Sequence, residues 1–201
     1  MKTTDLPPFI FKNYEIHEWR HACAILRQDF YKEYKDICDV LQRFRLNKSH
    51  IKVGGGRKSK VAEWIDSELS KKGWVEKNFQ TSITVDDNVM NSPTHSVDCF
   101  KNRIALEIEW NNKDPFFDRD LNNFRLLFDL RAISAGVIIT RCDELQEIFD
   151  SLGRGASYGA STTHMSKLLP RIQGGGGAGC ARGIPTRGFV GLGGRNDRHR
   201  Y

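Results

Sequence analysis

Arg103-Ile104-Ala105-Leu106-Glu107-Ile108-Glu109-Trp110 alternates strictly, the period of a β-strand. In such a strand Ala105, Glu107 and Glu109 leave one face, and Ile104, Leu106 and Ile108 leave the other. Asp98 lies nine residues before Glu107, where an antiparallel partner or a bend brings it beside that glutamate. Three carboxylates meeting at one point repel one another strongly in a partly buried site. A hard divalent cation relieves that repulsion. Mg²⁺ fits, because it takes oxygen ligands, keeps several waters and binds through one or two carboxylates together with a substrate phosphate. The same pattern also fits a strand whose glutamates face water on a half-exposed sheet. The chain beyond Trp110 argues for the first reading.

Leu121, Phe124, Leu127, Phe128 and Ile133 make the apolar stripe of a helix. Val137-Ile138-Ile139-Thr140 is a near-continuous apolar run, typical of a strand covered on both faces. Strand, helix and buried strand in that order form a right-handed crossover unit with a parallel pair. Such a unit has little room for a solvated glutamate face. A further helix is expected from about Asp143 to Leu152.

Upstream, apolar residues from Ile16 to Phe44 recur in steps of three and four, predicting one long helix or two consecutive ones. A loop over 48–60 carries three glycines, Arg57, Lys58 and Lys60. Val61, Trp64, Ile65 and Leu69 make a short amphipathic helix that Gly73 ends. Thr81-Ser82-Ile83-Thr84-Val85 reads as a strand, and Asp86-Asp87-Asn88 as its turn.

At 201 residues the chain suits one α/β domain. Hydrophobic residues make up 39% and charged residues 28%, as in globular proteins. The longest apolar runs are far too short for a membrane span, and MKTTDLPPF lacks the apolar core of a signal peptide. A cytoplasmic location without membrane contact is expected. The five cysteines, at an odd count and without C-x-x-C spacing, argue against a zinc site or a disulfide framework. The net charge of +6 is uneven: six arginines and one acid after Pro170 supply +5 of it. Overall basicity is therefore a weak sign of nucleic acid binding.

Asp98, Glu107-Ile108-Glu109 resembles the PD-(D/E)xK nuclease signature, and more closely the BamHI, BglII and BstYI group of restriction endonucleases. That group commonly has Glu or Gln in place of the signature lysine, as at Glu109. Ile65 to Trp74 is similar to the helix and turn that precede the catalytic hairpin in BglII and BstYI, and Lys101 to Glu107 is similar to the BstYI strand. The resemblance spans roughly residues 15 to 170. It implies a restriction-endonuclease-like α/β core with a central mixed sheet flanked by helices. It also implies a Mg²⁺-dependent homodimer that cuts double-stranded DNA at a short palindrome containing GATC and leaves 5′-phosphates. Asp98 and Glu107 would then bind the metal, and Glu109 would act beside it or orient the attacking water. Glu63 is a further acidic candidate, or else a solvated helix residue.

In the resembling group, the stretch holding Asn111, Asn112 and Lys113 approaches base edges. These residue types can read adenine and guanine in the major groove, and they are equally ordinary turn residues. Arg154, Ser157 and Tyr158 fall where the group has a recognition segment, in what could equally be a surface loop. Arg57 and Lys58 suit phosphate contacts or a flexible solvated loop. Residues 1–170 are read as the endonuclease domain. The Gly/Arg-rich segment 171–201 has few apolar residues, and disorder is expected there in place of the final strand of the resembling enzymes. Two other readings stay open: a repair or junction-resolving nuclease with the same core, and a non-catalytic nucleic-acid-binding protein with an Arg/Gly tail.

Overall fold

The structure is a computed structural model that describes residues 6–52, 58–158, 163–173 and 189–194. It opens with helix α1 (Pro8–Asn13) and strand β1 (Tyr14–Trp19), followed by α2 (Ala22–Asp29) and α3 (Tyr31–Arg43). The expected helix from Ile16 is thus corrected at its start. Tyr14 to Trp19 pairs as a strand, and Arg20 and His21 turn the chain with left-handed φ values of 52° and 63° before α2 begins. Ile16 and Trp19 pack into different clusters, as residues on opposite sides of a strand do.

Short α4 (Lys48–Lys52) leads to α5 (Lys60–Ser70), where the Ser59 hydroxyl accepts a hydrogen bond from Ala62 N at 3.0 Å. That side-chain cap satisfies one of the free amides at the helix start. Gly73, at φ 83°, ends the turn after α5, as its position in the sequence predicts. Strands β2 (Val75–Lys77), β3 (Gln80–Val85), β4 (Asn88–Pro93), β5 (Val97–Lys101) and β6 (Ile104–Glu109) come next. After them stand α6 (Pro115–Asp129), β7 (Ala135–Thr140), α7 (Leu145–Ser151), a 3₁₀ turn (Gly155–Tyr158), α8 (Met165–Gln173) and β8 (Phe189–Gly194).

Six strands form one mixed sheet in the order β1-β8-β7-β6-β5-β2, while β3 and β4 form a separate hairpin. The expected parallel pair is β6 with β7, joined through α6. Helices cover both faces of the sheet, so the α/β architecture with a mixed central sheet is as expected. On one face Ile104, Leu106, Ile108, Val137 and Ile139 pack with residues of α1, α2, α3, α5 and α7. On the other, Ala105 and Ile138 pack with Phe117, Leu121, Phe124 and Leu127 of α6 and with α8. A Cβ on Gly136 would lie 2.4 Å from the Phe124 ring, so this glycine lets α6 seat against β7. Phe124 belongs to the core.

The expectation of a structureless tail is overturned at Phe189–Gly194. These residues join the sheet antiparallel to β1 and parallel to β7. Gly191, Gly193 and Gly194 hid this in the sequence, because glycine weakens the alternation that marks a strand. A backbone ladder on both sides supplies the order that the side chains do not announce. The rest of the segment, 174–188 and 195–201, lies outside the described residues. Among the described residues the cysteines are free thiols. No described helix is long and apolar enough to cross a membrane.

Candidate active site

The site grows from a two-residue turn. Asn102 and Arg103 both adopt left-handed φ values, 43° and 68°, and pair Lys101 with Ile104 to start the β5–β6 hairpin. Two primed-turn residues match the natural twist of the strands and fix the register. Cys99 then faces Leu106. One step further Asp98 meets Glu107: Asp98 N donates to Glu107 Oε2 at 3.2 Å, and Ile108 N donates to Asp98 Oδ2 at 3.0 Å. On its other side β5 is irregular. Val75 faces Phe100 while Lys77 faces Val97, so β5 carries one extra residue at Asp98–Cys99. A bulge of this kind re-aims a side chain, and bulges are frequent beside active sites.

Glu107 and Glu109 do not face water. Each is 1% exposed, because α6 closes over that side of β6. This excludes the half-exposed-sheet reading. Burial, reinforced by the nearby Asp120 and Asp98 charges, drives the Glu107 carboxyl well above the usual range, although the Asp98 amide opposes the shift. Glu107 Oε1 is buried without a hydrogen-bond partner. Burial and Asp120 push Glu109 up to about 8, against the opposing effects of Asn112 and Arg119. Asn112 Nδ2 donates to Glu109 Oε2 at 2.5 Å, and Arg119 Nη2 to Glu109 Oε1 at 3.3 Å.

Two residues here escaped the sequence reading. Asp120, on α6, is fully buried, and Arg119 Nη2 reaches its Oδ1 at 2.8 Å. Burial raises the Asp120 carboxyl, and Arg119 is the largest opposing effect. The signal was present: Phe117, Asp120, Leu121 and Phe124 share one helix face, and an acid inside an apolar stripe has to be held by something.

The donor set suits a hard cation. Asp98 and Glu107 offer carboxylate oxygens a strand-pair apart, and the orphaned Glu107 Oε1 is a buried acceptor that a cation would satisfy. Among the described residues no three His, Cys, Asp or Glu side chains form a ready-made metal cage.

The remaining candidates divide. Asn111 and Lys113 are exposed beside the hairpin's end, and Asn112 is committed to Glu109. Thr163 N donates to Asn112 O at 2.9 Å, which ties the loop after β6 to the segment after the 3₁₀ turn. Arg154 is half-buried. The side chains of Ser157 and Tyr158, and all of Arg57, lie outside the described residues. Lys58 pairs with Asp66 at 2.6 Å. Glu63 is exposed, so the acid of α5 nearest the hairpin is instead Asp66, whose Oδ1 accepts from the Cys99 thiol at 3.5 Å. Exposed Glu63 has the surroundings of a solvated helix residue, the alternative weighed for it, while Asp66 lies one residue from buried Ile65 and reaches Cys99.

The family model described as restriction endonuclease BglII/BglIII matches residues 14–181. No curated protein matches the chain.

Proposed function

The chain belongs to the BglII/BglIII family of restriction endonucleases, and from that premise we propose that Asp98, Glu107 and Glu109 cut both strands of a short DNA palindrome. The family makes it a site-specific deoxyribonuclease of type II. The observation that carries the site assignment is the reciprocal pair of backbone-to-carboxylate bonds between Asp98 and the Glu107–Ile108 step, with a buried, unpartnered oxygen on Glu107. A pair held this rigidly is prepared to take a cation and a phosphate without rearrangement.

When bound by Asp98 and Glu107, Mg²⁺ would polarise the phosphoryl oxygen and acidify water. Asp98 is fixed by Ile108 N, so its carboxylate keeps one orientation. Glu107 presents its free oxygen from a dry strand. In its ionised form Glu109, steadied by Asn112, orients the attacking water and receives its proton. The water oxygen bonds to phosphorus as the bond to the 3′ oxygen breaks, and that oxygen takes a proton from solvent. The products are a 5′-phosphate and a 3′-hydroxyl. A palindrome presents two equivalent cuts, so the working form is a two-fold homodimer. Asn111 and Lys113, next to the catalytic strand, and the segment with Arg154, Ser157 and Tyr158 read the bases. The resemblance points to a sequence containing GATC.

Digestion of phage DNA with Mg²⁺, with sequencing of the ends, tests this. Discrete fragments with one shared end sequence are expected. Random nicking, or cutting only at branched junctions, would favour a repair nuclease, and binding without any cutting would remove the enzyme reading.

A further inference from the structure

Four carboxyl groups, Asp98, Glu107, Glu109 and Asp120, lie close enough to act on one another, and on the endonuclease reading the DNA phosphate that joins them is itself an anion. One guanidinium is built into this group. Arg119 Nε donates to Asp120 Oδ1 at 2.9 Å, Nη2 lies 2.8 Å from the same oxygen as an ion pair, and Nη2 donates to Glu109 Oε1 at 3.3 Å. Its carbon lies 4.3 Å from the centre of the Phe116 ring, which supports one side of the guanidinium. Both acids are buried, yet the Arg119 side chain remains 32% exposed. The group is therefore anchored at one edge and open at the other. Its Nη1 has no protein partner among the described residues. A planar fork with its free N–H groups turned outward suits a phosphate.

We propose that Arg119 is a catalytic residue that grips a non-bridging oxygen of the phosphate being cut, with Asp120 and Phe116 holding its guanidinium in place. The inference rests on the endonuclease reading and adds to it the group that answers the negative charge of the phosphate beside Glu109. Asp120 is then a positioning residue, buried so that its charge aims the arginine. The free Nη1 edge donates to the phosphate oxygen, and that bond strengthens as negative charge gathers there during the displacement.

The test uses the full chain, single-turnover cleavage in Mg²⁺ and gel shifts in Ca²⁺. Arg119→Ala is expected to slow cutting roughly 10²-fold, and added guanidinium ion is expected to restore part of the rate to this variant and none to the wild type. Arg119→Lys recovers little, because an ammonium cannot fork between carboxylate and phosphate. A neutral methylphosphonate at the cut position weakens binding by the wild type and leaves Arg119→Ala binding unchanged. Should Arg119→Ala melt below the assay temperature, Arg119→Lys carries the same measurements. Cleavage by Arg119→Ala at the wild-type rate would overturn the proposal while leaving the endonuclease reading intact. A slow variant that guanidinium does not rescue, and whose binding still responds to methylphosphonate, would overturn it in favour of a purely structural ion pair. A wild-type chain that never cuts DNA removes the endonuclease reading and this proposal together.

Discussion

Two hairpins lie next to each other in the chain and differ in almost everything but their turn. In β3–β4, Val85 faces Asn88 across Asp86 and Asp87, and in β5–β6, Lys101 faces Ile104 across Asn102 and Arg103. Both turns contain a left-handed residue. The first hairpin stands apart as a two-stranded sheet with Ile83, Val85, Val89 and Met90 exposed, Val89 by as much as 68%. Such a ribbon contributes little stability on its own. The second sits inside a six-stranded sheet between two helical layers, and every residue of β6 is buried. The difference teaches that alternation identifies a strand and leaves open what covers it. The same period gives a solvated Thr84 in one hairpin and buried glutamates at Glu107 and Glu109 in the other. Burial sets the two hairpins apart chemically, because a carboxylate held away from water needs a proton or a cation to offset its charge.

The largest effect is expected at the buried hairpin's chemistry. Asp98→Asn should lower the rate of Mg²⁺-dependent cutting about 10³-fold or more, since several kcal/mol of charge stabilisation depend on that ligand. A quenched-flow or gel assay reads it directly, and a mild loss would shift the metal site elsewhere. Gly136→Ala comes next. It drives a methyl of β7 into Phe124 of α6 and should cost about 1–3 kcal/mol in urea unfolding. An unchanged midpoint would mean that α6 is not seated on β7.

A pH dependence sharpens the comparison further. Folded Glu109 holds its proton up to about 8, whereas the exposed group titrates near 4.5, and Glu107 is raised in the same sense. The folded state therefore binds more protons than the unfolded chain across that window, and metal-free stability should fall as pH rises from about 4.5 to about 8. Urea midpoints in chelator at pH 5 and pH 8 measure this, and a rise with pH would contradict the burial of these acids. The smallest effect belongs to the outlying hairpin: Ile83→Thr with Val89→Thr should change stability by within about 0.5 kcal/mol.

The sequence was most legible where period and punctuation agreed. The strand at β6, the helix at α6, the buried strand at β7 and the stop at Gly73 all follow from local chemistry. Asp98 could be placed beside Glu107 because nine residues is the span of a tight hairpin. Other features depended on distant partners. Tyr14 to Trp19 reads as the start of a helix until β8 pairs with it, and Phe189 to Gly194 reads as structureless until β1 and β7 flank it. Asp66 went unmarked, because the period of α5 alone does not say which of its sides faces the hairpin. Asp120 and Arg119 were visible as a misfit in an apolar stripe, but only packing against Glu109 gives that misfit a role.

Glu107→Gln separates the charge of the Glu107 carboxylate from the fold that holds it. The substitution keeps the shape and removes a buried negative charge. Measured side by side on one preparation, Mg²⁺-dependent cleavage should be abolished, the gel-shift affinity for DNA in Ca²⁺ should be retained or tightened, and the metal-free urea midpoint at pH 8 should be unchanged or raised. Full cutting by Glu107→Gln, or a loss of cutting that merely tracks a collapse in stability, would contradict the account.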